Sequence, residues 1–486
     1  MLKKNGRKEK FFITTAIAYV NDKPHIGYAL ELIQADAIAR YMRATGYDVF
    51  FGTGTDEHGD KIRRMAMQSQ KTTRQFVNEI SAVFKSQKKA LNLSYDKFIR
   101  TSNKKEHWVG AYKLWAELEK RGDIYKKKYE GLYCVGCETF LTEKDLINGK
   151  CPLHQKTPEK VREENYFFCL TKYARVVERA IASDALKILP ATRKNEALAF
   201  IRDGLEDVSF SRLKKIVPWG IPIPKSDQTM YVWCDALSNY LSIIGYGQNT
   251  KTFKKWWPAD THIIGKDILR FHAIYWPAML LSAELPLPKA IMAHGFITSE
   301  GQKMSKTLGN VVDPFEAVKK YGVDAFRYYL LREIPSDGDG DFSWNKFKNR
   351  YNDDLAKGLG NFVSRTTHLL SGEKTSVKLP VSRDIQQEIR RMNARIEKHI
   401  NEFRLHDALA AIFQLIQFGD GYINEKQPWK NKNAKVSRNL SALVIAVGEA
   451  LLPFMPETAE KILATFPVKA GYFCPKKSKA LFPREE

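Results

Sequence analysis

The chain has 486 residues, too many for one hydrophobic core, so about two to four domains are expected. Hydrophobic residues make up 44% and aromatic residues 12%, a globular balance. No apolar run reaches membrane-span length and no secretory leader precedes Phe11, so a soluble cytoplasmic protein is expected. Lysine and arginine number 78 against 55 acidic residues, a net charge of +23. Such a balance fits a polyanionic partner or a basic solvated surface, and does not tell RNA from DNA. Six cysteines in a chain of this length exclude a disulfide-stapled scaffold.

In chain order, Phe11 to Val20 is mostly apolar, β-branched or aromatic, as in a strand buried on both faces. Asn21 and Asp22 break the run and Pro24 sets a turn. From Tyr28 to Arg43 the period changes: Leu30, Ile33, Ala37 and Tyr41 share a helical stripe, and Gly46 is a stop. His25 and Gly27 therefore sit at a strand-to-helix junction, where a helix N-terminus attracts phosphate. Gly27 lets a nucleotide approach the backbone, and His25 can donate to a phosphate oxygen. Tyr47–Thr53 reads as a second buried strand, ending in Gly54-Thr55-Asp56-Glu57-His58-Gly59. Asp56 is a candidate to hold an ammonium group, the plain alternative being a cap on the next helix. Strand–helix alternation up to about Lys120 predicts a doubly wound parallel sheet with ligands at its carboxyl ends.

From Arg121 to about Asp227 the texture changes to short strands and turns, an insertion splitting the sheet. Cys134-x-x-Cys137 and Cys151-x-x-His154, with Gly136, Gly149 and Pro152 beside them, have the spacing of two chelating turns. They predict one tetrahedral Zn2+ whose four positions are filled by protein, hence structural. Cys169, Cys234 and Cys474 read as ordinary thiols. The sheet resumes at Met230, with Tyr231–Leu237 leading into a helix containing Tyr240, a strand at Thr261–Ile264 ending in Gly265-Lys266-Asp267, a helix through His272 and Trp276, and a last strand near Ile291–Phe296. The loop Gly301-Gln302-Lys303-Met304-Ser305-Lys306-Thr307 carries two lysines three apart, able to reach a departing polyphosphate. Beyond Asp313-Pro314 the pattern is helical. From Lys348 it predicts a bundle of amphipathic helices whose basic tail, after Pro467, has no assigned order.

The pair Pro24-His25-Ile26-Gly27-Tyr28 and Lys303-Met304-Ser305-Lys306 resembles the paired signatures of class I aminoacyl-tRNA synthetases. Thr53–Gly59, Tyr231-Val232-Trp233-Cys234-Asp235-Ala236 and Ile264-Gly265-Lys266-Asp267-Ile268 narrow the resemblance to the methionyl-tRNA synthetases, of the bacterial type with a single zinc knuckle. It runs from about Phe11 to about Pro456. The domains it implies are a Rossmann-like catalytic domain (1–120 and 229–296), a zinc-containing connective insertion (121–228), a lysine-signature and stem-contact region (297–347) and an α-helical anticodon-binding bundle (348–486). The insertion leaves little room for the editing domain of the leucine, isoleucine and valine enzymes. A tRNA-binding relative without catalysis is the alternative of another class, which Lys303, Lys306 and Asp56 argue against.

The resemblance implies ATP with Mg2+, L-methionine and tRNA(Met) as partners, no membrane, and a monomer. His25, Tyr28, Lys303 and Lys306 are the expected catalytic residues; with Gly27, Gly265, Lys266 and Asp267 they would bind ATP, Asp267 reaching the ribose. Ala16, Ile17, Tyr19, Asp56, Trp233, Ala236, Tyr240, Ile268, His272 and Trp276 would form the methionine site, and homocysteine is the expected near-cognate. Asn361 and Arg365, one turn apart, and Trp429, expected near the start of a later helix, would read the anticodon. Tyr28 departs from the family's usual histidine. A phenol stays neutral near pH 7, so phosphate stabilisation there is expected to be weaker. Thr307 in place of serine is a mild change.

Overall fold

The computed structural model describes residues 9–136, 138–141, 143–152, 155–304, 309–430 and 432–485. Cys137, His154, Lys306 and Thr307 lie outside them. The chain forms two compact units, one of Met1–Pro24, Gly46–Gln87 and Tyr95–Ala293, the other of His25–Thr45, Lys88–Ser94 and His294–Glu486.

The first unit is built on a seven-stranded sheet whose described pairings are parallel. Its strands lie in the order Lys97–Arg100, Asp48–Asp56, Lys10–Thr15, Thr261–Gly265, Ala290–His294 and Lys187–Leu189, with the short Ala18–Tyr19 also against Asp48–Asp56. Ile13 stands opposite both Phe51 and Thr261. Lys10–Thr15 is therefore the strand where the connectivity changes direction, and its carboxyl end is the switch point at which such sheets open a crevice. Phe12, Ile13, Phe51, Ile263, Ile264 and Ile291 are fully buried, as the unbroken β-branched and aromatic runs require of strands covered on both faces.

The segment expected as a single insertion is more divided. Lys187–Leu189 returns to complete the parallel sheet. The remainder folds as a separate antiparallel sheet, in which Ile124–Cys134 and Glu159–Phe168 pair along ten residues, from Ile124 opposite Phe168 to Tyr133 opposite Glu159. These strands are longer than expected, because their solvated faces carry Lys126, Lys128, Glu130, Glu159 and Glu164 and mask the hydrophobic run.

The second unit is mainly helical: Ile26–Ala44, Val323–Glu333, Asn361–Leu370, Arg383–Asn401, Leu405–Lys426, Ala434–Leu451 and Pro456–Ala464. Ile297–Ser299 pairs with Gln302–Lys303 and Gly340–Phe342 in a small sheet. At the other end Val468–Lys469 and Tyr472–Phe473 form a hairpin around Ala470 and Gly471, both with positive φ, the geometry of a two-residue type I′ turn. The basic tail is thus ordered: Tyr472–Phe473 pairs with Thr375–Ser376, Ser478 N–H donates to Thr367 Oγ1 (3.2 Å), and Asn352 and Glu485 exchange two hydrogen bonds. Among the described residues no helix is long and apolar enough to cross a membrane.

Arg327 is wholly buried and unites this unit. Its guanidinium pairs with the buried Asp36 at 2.8 Å and donates to the carbonyls of Leu91 (3.1 Å), Asn92 (3.4 Å), Pro453 (3.1 Å) and Phe454 (2.8 Å). Burial pushes the Asp36 carboxyl up, but Arg327 and Arg40 outweigh it and hold the group below its ordinary range. Truncating one partner of a buried pair leaves the other charge uncompensated, which costs about 3–5 kcal/mol. Arg327→Met is expected to lose stability of that order in urea titration. Arg327→Lys will not restore it, since an ammonium cannot span the same acceptors.

Candidate active site

The carboxyl ends of the central strands gather the predicted methionine residues of the first unit. Ala16 and Ile17 follow Lys10–Thr15, Asp56 ends Asp48–Asp56, and Ile268 closes the turn Lys266–Ile268 after Thr261–Gly265. Trp233 and Ala236 lie on the helix Val232–Leu237, Tyr240 on Asn239–Ser242, His272 on the π-helical turn Phe271–Tyr275, and Trp276 begins the next helix. Tyr240 and Trp276 belong to the main hydrophobic cluster, and Ala16, Ile17, Tyr19, Trp233 and Ile268 pack half-buried against it. Phe271, which the sequence reading missed, stacks on Trp233 at 3.6 Å between centroids and 6° between planes.

Two buried histidines are fixed as neutral tautomers by their partners. His272 Nδ1 donates to the Ile268 carbonyl (2.9 Å), so Nε2 accepts from the Tyr240 hydroxyl (2.7 Å). Burial lowers the His272 imidazole to about 4. Trp276 Nε1 donates to His262 Nε2 (3.3 Å), leaving Nδ1 to donate to Thr14 Oγ1 (2.6 Å), and burial holds this ring well below its ordinary range. The Tyr240 ring lies 4.2 Å from His262 and 5.7 Å from Trp276. An apolar, uncharged aromatic wall results, suited to a thioether rather than an ion.

Asp56 supplies the opposite chemistry. It is buried, yet among the described residues its Oδ1 has no hydrogen-bond partner. Burial raises its carboxyl well above the ordinary range, and the charges of Asp235, Glu138 and Glu57 push the same way, against one backbone hydrogen bond from His58. The capping alternative does not hold, because Gly59 occupies the cap of the helix Asp60–Gln68. An acid kept short of partners and crowded by like charge is poised for a cation. Tyr19 donates to Glu138 Oε1 (2.9 Å); Glu138 also accepts from Lys61 N–H (2.7 Å) and the Tyr133 hydroxyl. A Cβ on Gly59 would stand 2.5 Å from the Tyr19 hydroxyl, so only glycine fits there. Gly265 is buried at its strand end, Lys266 is half-buried and Asp267 exposed in the following turn.

In the second unit His25 caps the helix Ile26–Ala44, its Nδ1 accepting from Gly27 N–H at 3.1 Å. A nitrogen that accepts carries no proton in that bond, which puts the ring N–H of the neutral tautomer at Nε2, the atom able to donate to phosphate. Gly27 matters here for a second reason: a Cβ would lie 2.9 Å from His25 Cε1 and prevent the ring from folding back. The Tyr28 ring lies 4.6 Å from that of His25. Lys303 is exposed on the hairpin of Ile297–Ser299 and Gln302–Lys303, whose turn residues Glu300 and Gly301 both have positive φ. Asp341 anchors the turn, accepting from Thr298 Oγ1 (2.6 Å) and Gly301 N–H (2.7 Å).

Residues 11–157 and 142–367 match the family tRNA synthetases class I (M), and residues 382–483 match the anticodon-binding domain of tRNA ligases. The chain is 42% identical over 471 residues to the methionine–tRNA ligase of Caldanaerobacter subterraneus subsp. tengcongensis, covering 94% of this chain and 73% of that protein. It is 41% identical over 481 residues to that of Brucella suis, covering 95% and 93%. The chain belongs to the methionyl-tRNA synthetase family. It is an aminoacyl-tRNA ligase with a Rossmann-like parallel-sheet domain and a helical C-terminal region. The structure of Mycobacterium tuberculosis methionyl-tRNA synthetase in complex with methionyl-adenylate superposes with a TM-score of 0.91 at 36% identity, over 98% of this chain and all of that one.

The synthetase's remaining candidates fall in two places. Cys134 and Cys151 are buried together with Leu141 in a small cluster, while Cys137 and His154 lie outside the described residues. In the helical region Asn361 is exposed at the head of Asn361–Leu370, and Arg365 lies 5.6 Å over the Trp429 ring and donates to Asn424 Oδ1 (2.7 Å). Trp429 is half exposed and sits in the turn after Gln427, whose φ of +43° ends the preceding helix, five residues before the helix Ala434–Leu451 begins. Asn424 was missed because its contact spans 59 positions.

Asp56 keeps a proton in the fold that the unfolded chain releases above about pH 4. Its contribution to stability is full below that pH and is lost as the pH rises through the raised folded value. Asp56→Asn is therefore expected to raise Tm at pH 7.5 and leave it unchanged near pH 4. The same variant is expected to raise the methionine KM about tenfold or more, the loss of one charge-assisted hydrogen bond.

Proposed function

We propose that this chain carries out methionine–tRNA ligation in two steps, with the residue roles as follows. The methionine carboxylate attacks the α-phosphorus of ATP in line, forming methionyl-adenylate and expelling pyrophosphate. A terminal ribose hydroxyl of tRNA(Met) then attacks the mixed anhydride, forming the ester and releasing AMP, for initiation and elongation alike. The carboxylate is already ionised, so the first step needs no general base, and positioning and charge stabilisation carry it. The observation that carries the reading is the pairing, within one unit, of a buried acid with one open oxygen, Asp56, and a neutral cluster of Trp233, Tyr240, His272 and Trp276. Asp56 holds the α-ammonium, and Ala16, Ile17, Tyr19, Ala236 and Ile268 complete the slot for the thioether side chain.

His25 Nε2–H and Lys303 and Lys306 stabilise the charge developing on the phosphates, with Tyr28 as a neutral donor at the same corner. Gly27 and Gly265 allow close approach of the nucleotide, Lys266 assists and Asp267 holds the ribose. Mg2+ accompanies the triphosphate and offsets its charge. In the helical region Trp429 stacks an unpaired anticodon base while Asn361 and Arg365 read base edges. Cys134, Cys137, Cys151 and His154 hold one structural Zn2+; the two buried thiols described for Cys134 and Cys151 fit that donor set, and no catalytic step passes through it. The divisions 1–120, 121–228, 229–296, 297–347 and 348–486 would correspond to the catalytic halves, insertion, lysine-loop region and bundle. The enzyme acts as a monomer in the cytoplasm.

Pyrophosphate exchange tests the reaction, with each of the standard amino acids supplied singly. Exchange is expected with methionine and, more weakly, homocysteine, without tRNA; none at all from folded, zinc-loaded protein would leave a tRNA-binding protein. Lys303→Ala and His25→Ala are each expected to cut kcat about a hundredfold with little change in methionine KM, the scale of one lost transition-state donor. Cys151→Ser is expected to bind less than the about one zinc per chain of the parent by metal analysis, and to melt earlier.

A further inference from the structure

We infer that Asp235 is a positioning residue for methionine, its buried carboxylate tying the loop that carries Asp56 to the helix that carries Trp233 and Ala236. The inference rests on the methionine pocket proposed above. Asp235 is fully buried, yet it accepts two short hydrogen bonds of 2.6 Å, one from His58 Nδ1 to Oδ2 and one from His107 Nε2 to Oδ1. A carboxylate only accepts, so each of those ring nitrogens donates. The two imidazoles hold the Asp235 carboxyl down at about 2 against the opposing effect of burial, so it stays ionised.

Each arm ends on a segment of the pocket. His58 lies two residues after Asp56, and its own backbone N–H bonds to the Asp56 carboxyl. Its ring is held by Trp108 and Trp219, at 6.1 and 5.7 Å. Trp219 fixes the same loop again, its Nε1 donating to the Glu57 carbonyl and its carbonyl accepting from Gly59 N–H at 3.2 Å. His107 lies in the π-helical turn Lys104–Trp108, and its carbonyl accepts from Ser242 Oγ at 3.2 Å, on the short helix that carries Tyr240. Asp235 itself lies between Trp233 and Ala236 in sequence. One carboxylate therefore fixes the acid that meets the ammonium relative to the aromatic wall that meets the side chain. Simple packing would be served as well by aliphatic residues, which avoid the desolvation of a buried charge. What the carboxylate adds is direction, through two bonds at fixed angles, and a negative field beside the ammonium site.

The test is methionine-dependent pyrophosphate exchange on the full chain, with methionine and ATP varied separately. Asp235→Asn is expected to raise the methionine KM about tenfold or more while the ATP KM stays within about twofold. His58→Phe, which keeps the ring and removes the donor, is expected to raise it more than His107→Phe, because the His58 side chain is the bond that anchors the segment carrying Asp56, two residues away. His58→Asn, whose amide nitrogen falls near the Nδ1 position, is expected to restore it. An unchanged methionine KM in folded Asp235→Asn, or a fall in kcat with both KM values unchanged, overturns the inference. Should Asp235→Asn fail to fold, the histidine variants decide: equal methionine KM values for the two phenylalanine variants, or no rescue by His58→Asn, overturn it. No exchange in the parent protein overturns the ligase reading and this inference with it; normal exchange in parent and variants alike overturns this inference only.

Discussion

One buried guanidinium sets the geometry of the second unit. Arg327 has no access to water, so its donors must be met within the protein, and they are: by Asp36 and by four carbonyls from two remote loops. Asp36 in turn accepts from Arg40, from Ser94 N–H and from Ser94 Oγ. None of these groups can shift alone without stranding a buried charge or carbonyl. The helix Ile26–Ala44 is locked in axial position by Asp36, and at its head stands the His25 cap with Gly27 and Tyr28. Farther along the same helix Glu31 meets His294 Nε2 at 3.1 Å, a second buried polar tie. The placement of the proposed phosphate-binding imidazole thus follows from a network centred farther along its helix, at Asp36, in which no member is itself a candidate for substrate contact.

The first unit separates its electrostatics within the proposed methionine site. Asp56 is an acid without a full set of partners among the described residues, while His262 and His272 are held neutral by burial and by directed bonds. Protonating His272 would need a second acceptor where the Tyr240 hydroxyl now donates, and burial opposes the charge in any case. An amino acid with a charged head and an uncharged, polarisable side chain fits that division, whereas a basic side chain would meet apolar and aromatic groups with no acid among them.

What could be read from the sequence depended on the range of the interaction. Strand runs such as Phe11–Val20, and glycines and lysines in fixed local spacing, announce themselves because the period and the turn chemistry are local. His25 was legible as a junction residue, and the helix N-terminus is where it was expected. The steric reason for Gly27, that His25 folds back over it, was not, since it depends on a rotamer. Three-residue strands such as Lys187–Leu189 are below any periodicity, and only the parallel register with Ala290–Met292 identifies them. The hairpin at Ala470–Gly471 was lost in a lysine-rich tail because its strands are two residues each. Asp235 stood inside a motif already singled out, but its partners His58 and His107 lie 177 and 128 positions away, and no pattern along the chain connects them.

The order of strands also has a consequence in time. Lys10–Thr15 is the central strand, and one of its two neighbours is Thr261–Gly265. On a ribosome that adds about 5–20 residues per second, roughly 10–50 s separate the emergence of these two strands. Asp48–Asp56 arrives early and covers one edge, but the other edge, with Phe12 and Ile13 beside it, waits. An apolar strand left half-paired for that interval is a template for the wrong partner. The protein is therefore most exposed to misassembly during its own translation, before the residues of its proposed methionine site have all been made.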